Sequence, residues 1–351
     1  MPKVNPAILR WARETAGLDE QEAVEKLSIR DARGVAAVDR LRALEDGSDP
    51  PSRALLVRMA KKYRRPLLTF YLTSPPEPTD RGEDFRVLPR GAPPEDEPLL
   101  DALIRDVRAR QGLIKSALLD EEELEPLPFV GSVTMQTGVQ AVIDAMRAVI
   151  RLPLEEYRGC HDVDEAFALL RTRTEEAGVF VLLLGNLGSH HTNIDLETFR
   201  GFALADESVP FLVINDQDHH AAWSFTLLHE LAHLWLGQTG VSGGRPELAV
   251  ERFCNEVASE FLLPAGELEE FVGVGRLAVT DVAQRIGDFA SPRKISHSMV
   301  APIKGGKERE GGPSYYVVRR HRLGTALVEA TARLMAVGAL TTSKAGTVLG
   351  A

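Results

Sequence analysis

Cysteine is nearly absent from the sequence. Cys160 and Cys254 are the only two among 351 residues. They are too few and too scattered to build a disulfide framework or a cysteine-based metal site. This usage favours a reducing, cytoplasmic setting.

Long apolar runs are missing as well. No segment approaches the roughly eighteen consecutive apolar residues that a membrane-spanning helix needs. The longest local run, "VFVLLLG" at 179–185, is short enough to predict a buried strand instead. The opening stretch, "MPKVNPAILRWARE", lacks the apolar core of a secretory signal. We therefore expect no membrane partner.

An overall excess of positive charge is also lacking, since the net charge is −10. The charge is nevertheless uneven. Residues 1–73 contain fourteen lysines and arginines against ten acidic residues, a net +4, so the remainder carries −14. This balance excludes a general nucleic-acid coat and leaves DNA as a possible but weak partner of a mildly basic N-terminal module.

Residues 1–73 have the pattern of several short helices. Asn5 followed by Pro6 predicts a helix start, Asp19 predicts a second, and "DPPS" predicts a later one. Short helices joined by tight turns are typical of a helix-turn-helix bundle. A generic helical bundle fits the same pattern.

Four further regions follow. A Pro-rich, charged stretch predicts a linker at 74–98, and a helical connector follows at 99–136. Residues 137–270 are predicted to combine helices with a small mixed sheet, and residues 271–351 are predicted to be a helical C-terminal region. The predicted fold class is therefore α+β, with an all-α N-terminal bundle in front of a mixed domain.

The sheet is predicted from three apolar runs. "VFVLLLG" is followed by "FRGFALAD" and "PFLVIND", and the last two are separated by "ESV", which predicts a hairpin. We expect "FRGFALAD" to be the edge strand, where an extended substrate would pair along Gly201 to Ala205.

The main chemical signal is "FTLLHELAHLWLG" at 225–237. The H-E-x-x-H spacing puts His229 and His233 one helical turn apart on the same side of the helix. Two neutral imidazoles at that spacing suit Zn²⁺, and Glu230 between them can act on a water at the metal. Incidental burial of three ionisable groups among leucines would cost several kcal/mol, so a common metal is the better explanation.

A third zinc ligand is expected on the next helix, "ELAVERFCNEVASEFLLP". At 100° per residue, Glu256 and Glu260 turn away from the side on which Glu251 lies. Glu251 is therefore the predicted third ligand. Asn255, one turn further, is predicted to hydrogen-bond the outer nitrogen of a ligand histidine.

For the other candidate residues, the sequence either indicates an ordinary structural role or leaves several roles open. Cys254 is expected to be a small packing residue. A hydrolytic zinc site also needs a hydrogen-bond donor where negative charge develops on the substrate oxygen, and the sequence does not choose among the candidates. The candidate oxyanion donors are His190, His191, Tyr315 and Tyr316, whereas His219 and His220 are expected at the surface.

These motifs resemble a known family. "FRGFALADESVPFLVINDQDHHAAWSFTLLHELAHLWLG" followed by "ERFCNEVASEFLLP" looks like the ImmA/IrrE family of zinc metallo-endopeptidases. "NPAILRWARETAGL" and "LEDGSDPPSRALLVRMAKKYRRPLLTFYL" resemble the XRE-type helix-turn-helix that often precedes such peptidases. An insert-like stretch, "RDARGVAAVDR", departs from that pattern where a compact recognition helix would begin.

The resemblance implies a gluzincin-type site, with His229, His233 and Glu251 on zinc and Glu230 as general base and proton shuttle. It also implies a protein substrate: a repressor-like or antitoxin-like regulator encoded nearby, cleaved in a stress, phage or mobile-element response. The alternative is a DNA-binding transcriptional regulator whose peptidase fold acts only as a sensor. Glu230 favours the peptidase, because a sensor has no need of it.

Overall fold

In the computed structural model, the described residues are 4–76, 93, 96–242, 249–265 and 315–350. Two compact units are formed, one from Met1–Arg81 with Pro93–Ile104, the other from Gly82–Ala92 with Arg105–Ala351. Most of the predicted linker lies outside the described residues. None of the described helices is both long and apolar enough to cross a membrane.

The first unit is helical. Its elements are α1 (Pro6–Glu14), α2 (Glu20–Leu27), α3 (Ala37–Glu45), α4 (Arg53–Lys62), a 3₁₀ turn (Leu67–Tyr71) and the start of α5 (Asp96–Asp120). The predicted caps are confirmed: Asn5 accepts from the backbone N–H of Ala7, and Asp19 forms a capping box with Glu22. The start of each of these helices is therefore specified by residues next to it in the sequence.

The first part of the "RDARGVAAVDR" stretch forms a miniature hairpin between α2 and α3, and its last four residues begin α3. Ala32 and Val35 exchange backbone hydrogen bonds of 3.1 and 3.0 Å. Arg33 and Gly34 between them both have positive φ angles, as in the two-residue turns of β-hairpins. The helix that follows, α3, therefore begins only at Ala37.

A buried ion pair lies in the core of this unit. The guanidinium of Arg13 on α1 donates to both carboxylate oxygens of Glu45 on α3, at 2.8 and 3.0 Å. Both side chains are less than a tenth exposed. Around them pack Ile8, Leu9, Ala12, Leu27, Leu41, Leu56, Met59 and Phe70. Bidentate geometry compensates for the cost of burying two charges.

The second unit mixes helices with a small sheet, which confirms the α+β class. Its described elements are the rest of α5, α6 (Val139–Ile150), α7 (Leu154–Arg158), α8 (Val163–Glu176), β1 (Phe180–Leu183), β2 (Gly201–Leu204), β3 (Phe211–Ile214), α9 (His220–Trp235), β4 (Gly240–Ser242), α10 (Ala249–Leu262), α11 (Tyr315–Leu323), α12 (Thr325–Ala336) and α13 (Thr342–Leu349), with 3₁₀ turns at Met135–Thr137 and His190–Thr192. Cys160 and Cys254 are free thiols.

The sheet order is β1-β3-β2-β4. The predicted hairpin is confirmed, because β2 and β3 pair antiparallel, and β1 adds to β3 in parallel. The predicted edge position of β2 is wrong. The short strand β4 pairs with Gly201, Phe202 and Ala203, so the outer hydrogen-bonding groups on this side belong to β4.

Helix α9 crosses the sheet and packs against β2, β3, α8 and α10. Its C-terminal carbonyls are bonded by a preceding loop: the backbone N–H groups of Gly131 and Val133 donate to Leu234 and Trp235, at 2.9 and 3.1 Å. Phe129 stacks on Trp235 with ring centroids 4.4 Å apart. These bonds satisfy groups that a helix end leaves open, and they hold α9 in place.

The C-terminal helices are joined to α8 by a buried ion pair, Arg171 with Glu175. Arg171 donates to the carbonyl of His321 at 2.6 Å. Glu175 accepts from the backbone N–H groups of Thr325 and Ala326, both at 3.1 Å. Because these are the first free N–H groups of α12, the carboxylate both caps that helix and binds it to the domain.

Candidate metal site

The H-E-x-x-H motif lies in the middle of α9, and its three polar side chains are buried. His229 is 3% exposed, Glu230 0% and His233 1%. The neighbouring leucines and Trp235 belong to the main apolar core. Ionisable groups in such surroundings need partners of comparable strength.

Helix α10 supplies the facing acidic group. Glu251, in its first turn, is 7% exposed, and it is followed along the same face by Cys254 and Ala258, both fully buried. Small residues at these positions let α10 approach α9 closely. Glu256 is exposed and half-buried Glu260 accepts from the backbone N–H of Ala265, so neither joins the group.

The structure brings His229, His233 and Glu251 together. The two Nε2 atoms are 3.1 Å apart, and the Glu251 oxygens lie 3.4 Å from His229 Nε2 and 3.1 Å from His233 Nε2. Among the residues that the structure describes, these form the one group of possible metal ligands with all donor atoms within 4.8 Å of one another.

These separations fit a tetrahedral metal. Ligands at zinc's usual bond lengths of 2.0–2.2 Å lie about 3.3–3.6 Å from one another in a tetrahedral site. Three electron-pair donors at such spacing repel each other unless a proton or cation lies between them. The donor set, two imidazoles and one carboxylate, is one that Zn²⁺ accepts while leaving a fourth position open.

The pKa shifts of Glu251 and His233 also favour a cation at this group. Burial alone would raise the pKa of Glu251, but hydrogen bonds from His229 and His233 lower it to about 2. Burial opposes a charge on His233, yet its hydrogen bonds with Cys254 and Glu251 raise its pKa well above the ordinary value. Both shifts favour a positive charge, from a proton or a metal ion, among these three side chains.

Two neighbours bear on the histidines. His229 Nδ1 and His233 Nδ1 are both buried without a hydrogen-bond partner among the described residues. The hydrogen bond predicted from Asn255, which lies half-buried on α10, is therefore absent. Cys254 does more than pack. Burial raises the pKa of its thiol, and its hydrogen bond with His233 opposes that shift. Sequence reasoning missed this contact, since a small residue facing the helix gave no sign of it.

Glu230 lies against strand β2. A Cβ added to Gly201 would come within 2.7 Å of Glu230 Oε1, so that the strand or the side chain would have to shift. The sequence signal was present, because a glycine inside an apolar strand pattern often marks a close approach.

The remaining candidates stay apart from this group. His190 and His191 are exposed and their rings lie 3.8 Å from each other. Tyr316 is 81% exposed, and the side chain of Tyr315 lies outside the description. His219 and His220 are exposed, as predicted, and His220 is bonded to Asp164 at 2.6 Å. No oxyanion donor is assigned.

Comparison with known proteins finds a match for only one part of the chain. No curated protein and no solved structure matches it. Residues 185–287 match the family model described as Peptidase_M78, IrrE N-terminal-like domain. The matched region contains β2, β3, α9 and α10, and with them the buried His-His-Glu group. This match supports a metallopeptidase of the ImmA/IrrE type.

Proposed function

We propose that this protein is a zinc-dependent endopeptidase that selectively cleaves a regulatory protein. The observation that carries the proposal is Glu230, fully buried between the two histidines of a metal-compatible group. A metal site with a purely structural or sensing role gains nothing from a buried carboxylate there, whereas hydrolysis needs a base next to the water.

In this proposal His229, His233 and Glu251 bind the zinc ion. When bound, zinc supplies Lewis-acid polarisation of the scissile carbonyl and makes a water acidic enough to be used near neutral pH. Glu230 would accept a proton from the attacking water on a carboxylate oxygen and return it to the nitrogen of the leaving amine.

The selectivity follows from access. His229, Glu230 and His233 are each at most 3% exposed, so a substrate must bring an extended, locally unfolded segment to them. The sheet offers a place for such a segment at β4, its outer strand next to β2, where an extended chain could be added. Folded bystander proteins would then be spared.

We assign the remaining regions to substrate choice and restraint. Residues 1–73 are proposed to be an XRE-like helix-turn-helix domain whose main partner is a protein. The region 137–270 is the proposed catalytic domain, and 271–351 the proposed regulatory region. The proteolytic activity must be controlled because the cytoplasm, the proposed location, contains many other proteins that could be cleaved.

The test is incubation of zinc-loaded protein with two substrates, casein and the product of the adjacent gene. Cleavage of the neighbouring product at one bond is expected, with little cleavage of casein. Glu230→Gln is the matched control: it should bind zinc as the wild type does and lose activity by at least about 100-fold.

Two results would contradict the proposal. Rapid cleavage of casein at many sites would exclude selectivity. Equal biological response from the wild type and Glu230→Gln, without cleavage of any substrate, would favour the alternative, a transcriptional regulator that uses the peptidase fold as a sensor.

A further inference from the structure

We infer that Gly201 is a positioning residue for the general base. Because position 201 has no side chain, strand β2 can lie against the Glu230 carboxylate and determines its position. The catalytic part of this inference rests on the proposed function. Glycine is required here for space, because the backbone is in a paired strand and needs no unusual φ angle.

The distances define the space. A Cβ at position 201 would lie 2.7 Å from Glu230 Oε1, 3.0 Å from Glu230 Cγ and 2.7 Å from Thr226 Cγ2. Normal contacts between such atoms need about 3.5–4.0 Å. Thr226 and Glu230 are one helical turn apart and so point the same way from α9. That face of α9 therefore lies directly on Gly201.

The strand is less able to move than the side chain. Gly201 is paired with Ile214 on one side and Ser242 on the other. Next to it, the carbonyl of Arg200 accepts from the backbone N–H of Asn215 at 2.8 Å. Asn215 itself is fully buried and donates to the carbonyls of Ile194 and Phe199, each at 3.1 Å. An added methyl group must therefore displace Glu230 by about 1 Å.

Such a displacement matters for Glu230 and much less for the metal ligands. His229 and His233 leave the helix on the side that faces Glu251 on α10, at 3.1–3.4 Å from its oxygens. Gly201→Ala should therefore leave zinc binding unchanged while moving the base. A misplacement of about 1 Å at a reacting group can reduce the rate by about 100-fold.

The experiment separates the two contacts of the added methyl group. All variants are made in a Thr226→Ser background, which removes Cγ2. Gly201→Ala, Glu230→Ala and the double variant are compared by thermal unfolding, zinc content and kinetics. Gly346→Ala on α13 is the matched control, because nothing lies within 4 Å of a Cβ at that glycine.

Gly201→Ala is expected to lower Tm by several degrees, and this loss should shrink to less than half when Glu230 is also alanine. In the active protein it should reduce kcat by about 100-fold with KM and zinc content unchanged. If Gly201→Ala does not fold at all, recovery of folded protein by Glu230→Ala supports the inference, and no recovery overturns it.

Additive Tm losses would overturn the contact between positions 201 and 230. Coupled losses with unchanged kcat would overturn the positioning role while leaving the peptidase assignment intact. A wild type that cleaves nothing would instead remove the proposed function, and with it the catalytic part of this inference, although the Tm coupling would still report the contact.

Discussion

At the residue scale, the site is defined by three bases that converge from two helices. His229 and His233 are separated by one turn of α9, and Glu251 comes from α10 to within 3.4 Å of both. Helical periodicity was sufficient to place these side chains on facing sides, since 100° per residue separates Glu251 from Glu256 without tertiary information.

Removing the carboxylate from position 251 should release the metal. We expect Glu251→Gln to weaken Zn²⁺ binding by at least about 100-fold, because a neutral amide neither balances the cation's charge nor is a favoured zinc ligand. The measurement is a competition titration with a chromophoric chelator. Glu256→Gln, on the exposed face of the same helix, is the control, and equal loss in both variants would refute the ligand assignment.

Zinc binding should also release a proton. In the metal-free protein, burial opposes a charge on His233, but its contacts with Cys254 and Glu251 raise its pKa well above 6.5. Stability from this proton is present below about pH 6.5 and is lost as the pH rises through the folded-state pKa. The metal requires a neutral imidazole, so zinc's own stabilisation should grow with rising pH.

Calorimetric titration of zinc in two buffers with different ionisation enthalpies measures this directly. About one proton should be released per Zn²⁺ at about pH 7, and the Tm gain on adding zinc should increase between about pH 6 and pH 8. A binding enthalpy that does not depend on the buffer would show that His233 carries no proton in the metal-free site.

At the element scale, prediction from sequence worked where local periodicity decides the outcome. The capped helices of the first unit, the β2–β3 hairpin and helices α9 and α10 all have local signals. β4 has none: Gly240–Ser242 lies in a Gly-rich stretch and becomes a strand only by pairing with β2. Position 201 was therefore assigned to an edge, because the neighbours of a strand are fixed by long-range pairing.

The same limit applies to the C-terminal helices, whose attachment depends on residues 150 positions apart along the chain. Gly324 precedes α12 with a φ of +79°, and a Cβ there would lie 2.1 Å from Glu175 Oε1 and 2.8 Å from Val181 O. An alanine would meet both an unfavourable backbone conformation and the buried Arg171–Glu175 pair.

We therefore expect Gly324→Ala to destabilise the attachment of α11 and α12 by at least about 2 kcal/mol. Hydrogen exchange of amides in these helices should accelerate before that of α9. Gly338→Ala is the matched control, since its φ is +88° but nothing lies within 4 Å of the added Cβ. Equal effects in the two variants would mean that the backbone angle alone matters and that the ion pair does not hold the helices.

At the scale of the whole molecule, charge separates the N-terminal module from the rest. Residues 1–73 carry +4 and the remaining chain −14. Several of the module's arginines are already paired within it: Arg13 with Glu45, Arg42 with Glu20 at 2.5 Å, and Arg65 over the ring of Trp11. Fewer cations are left for DNA phosphates than the composition implies.

The last prediction follows from this count. The full-length protein should bind duplex DNA weakly, with a Kd of about 1 µM or higher at physiological salt, and binding should weaken steeply between about 50 and 200 mM salt. Fluorescence anisotropy with a labelled duplex measures both. Arg33→Ala, at the tip of the exposed hairpin between α2 and α3, should reduce what binding there is. Glu20→Gln, which removes the negative charge of one of the two acidic partners of Arg42 and leaves Asp39, should increase it. A footprint on a defined operator that survives physiological salt at nanomolar protein would contradict this prediction and make DNA, not a protein, the main partner of the N-terminal module.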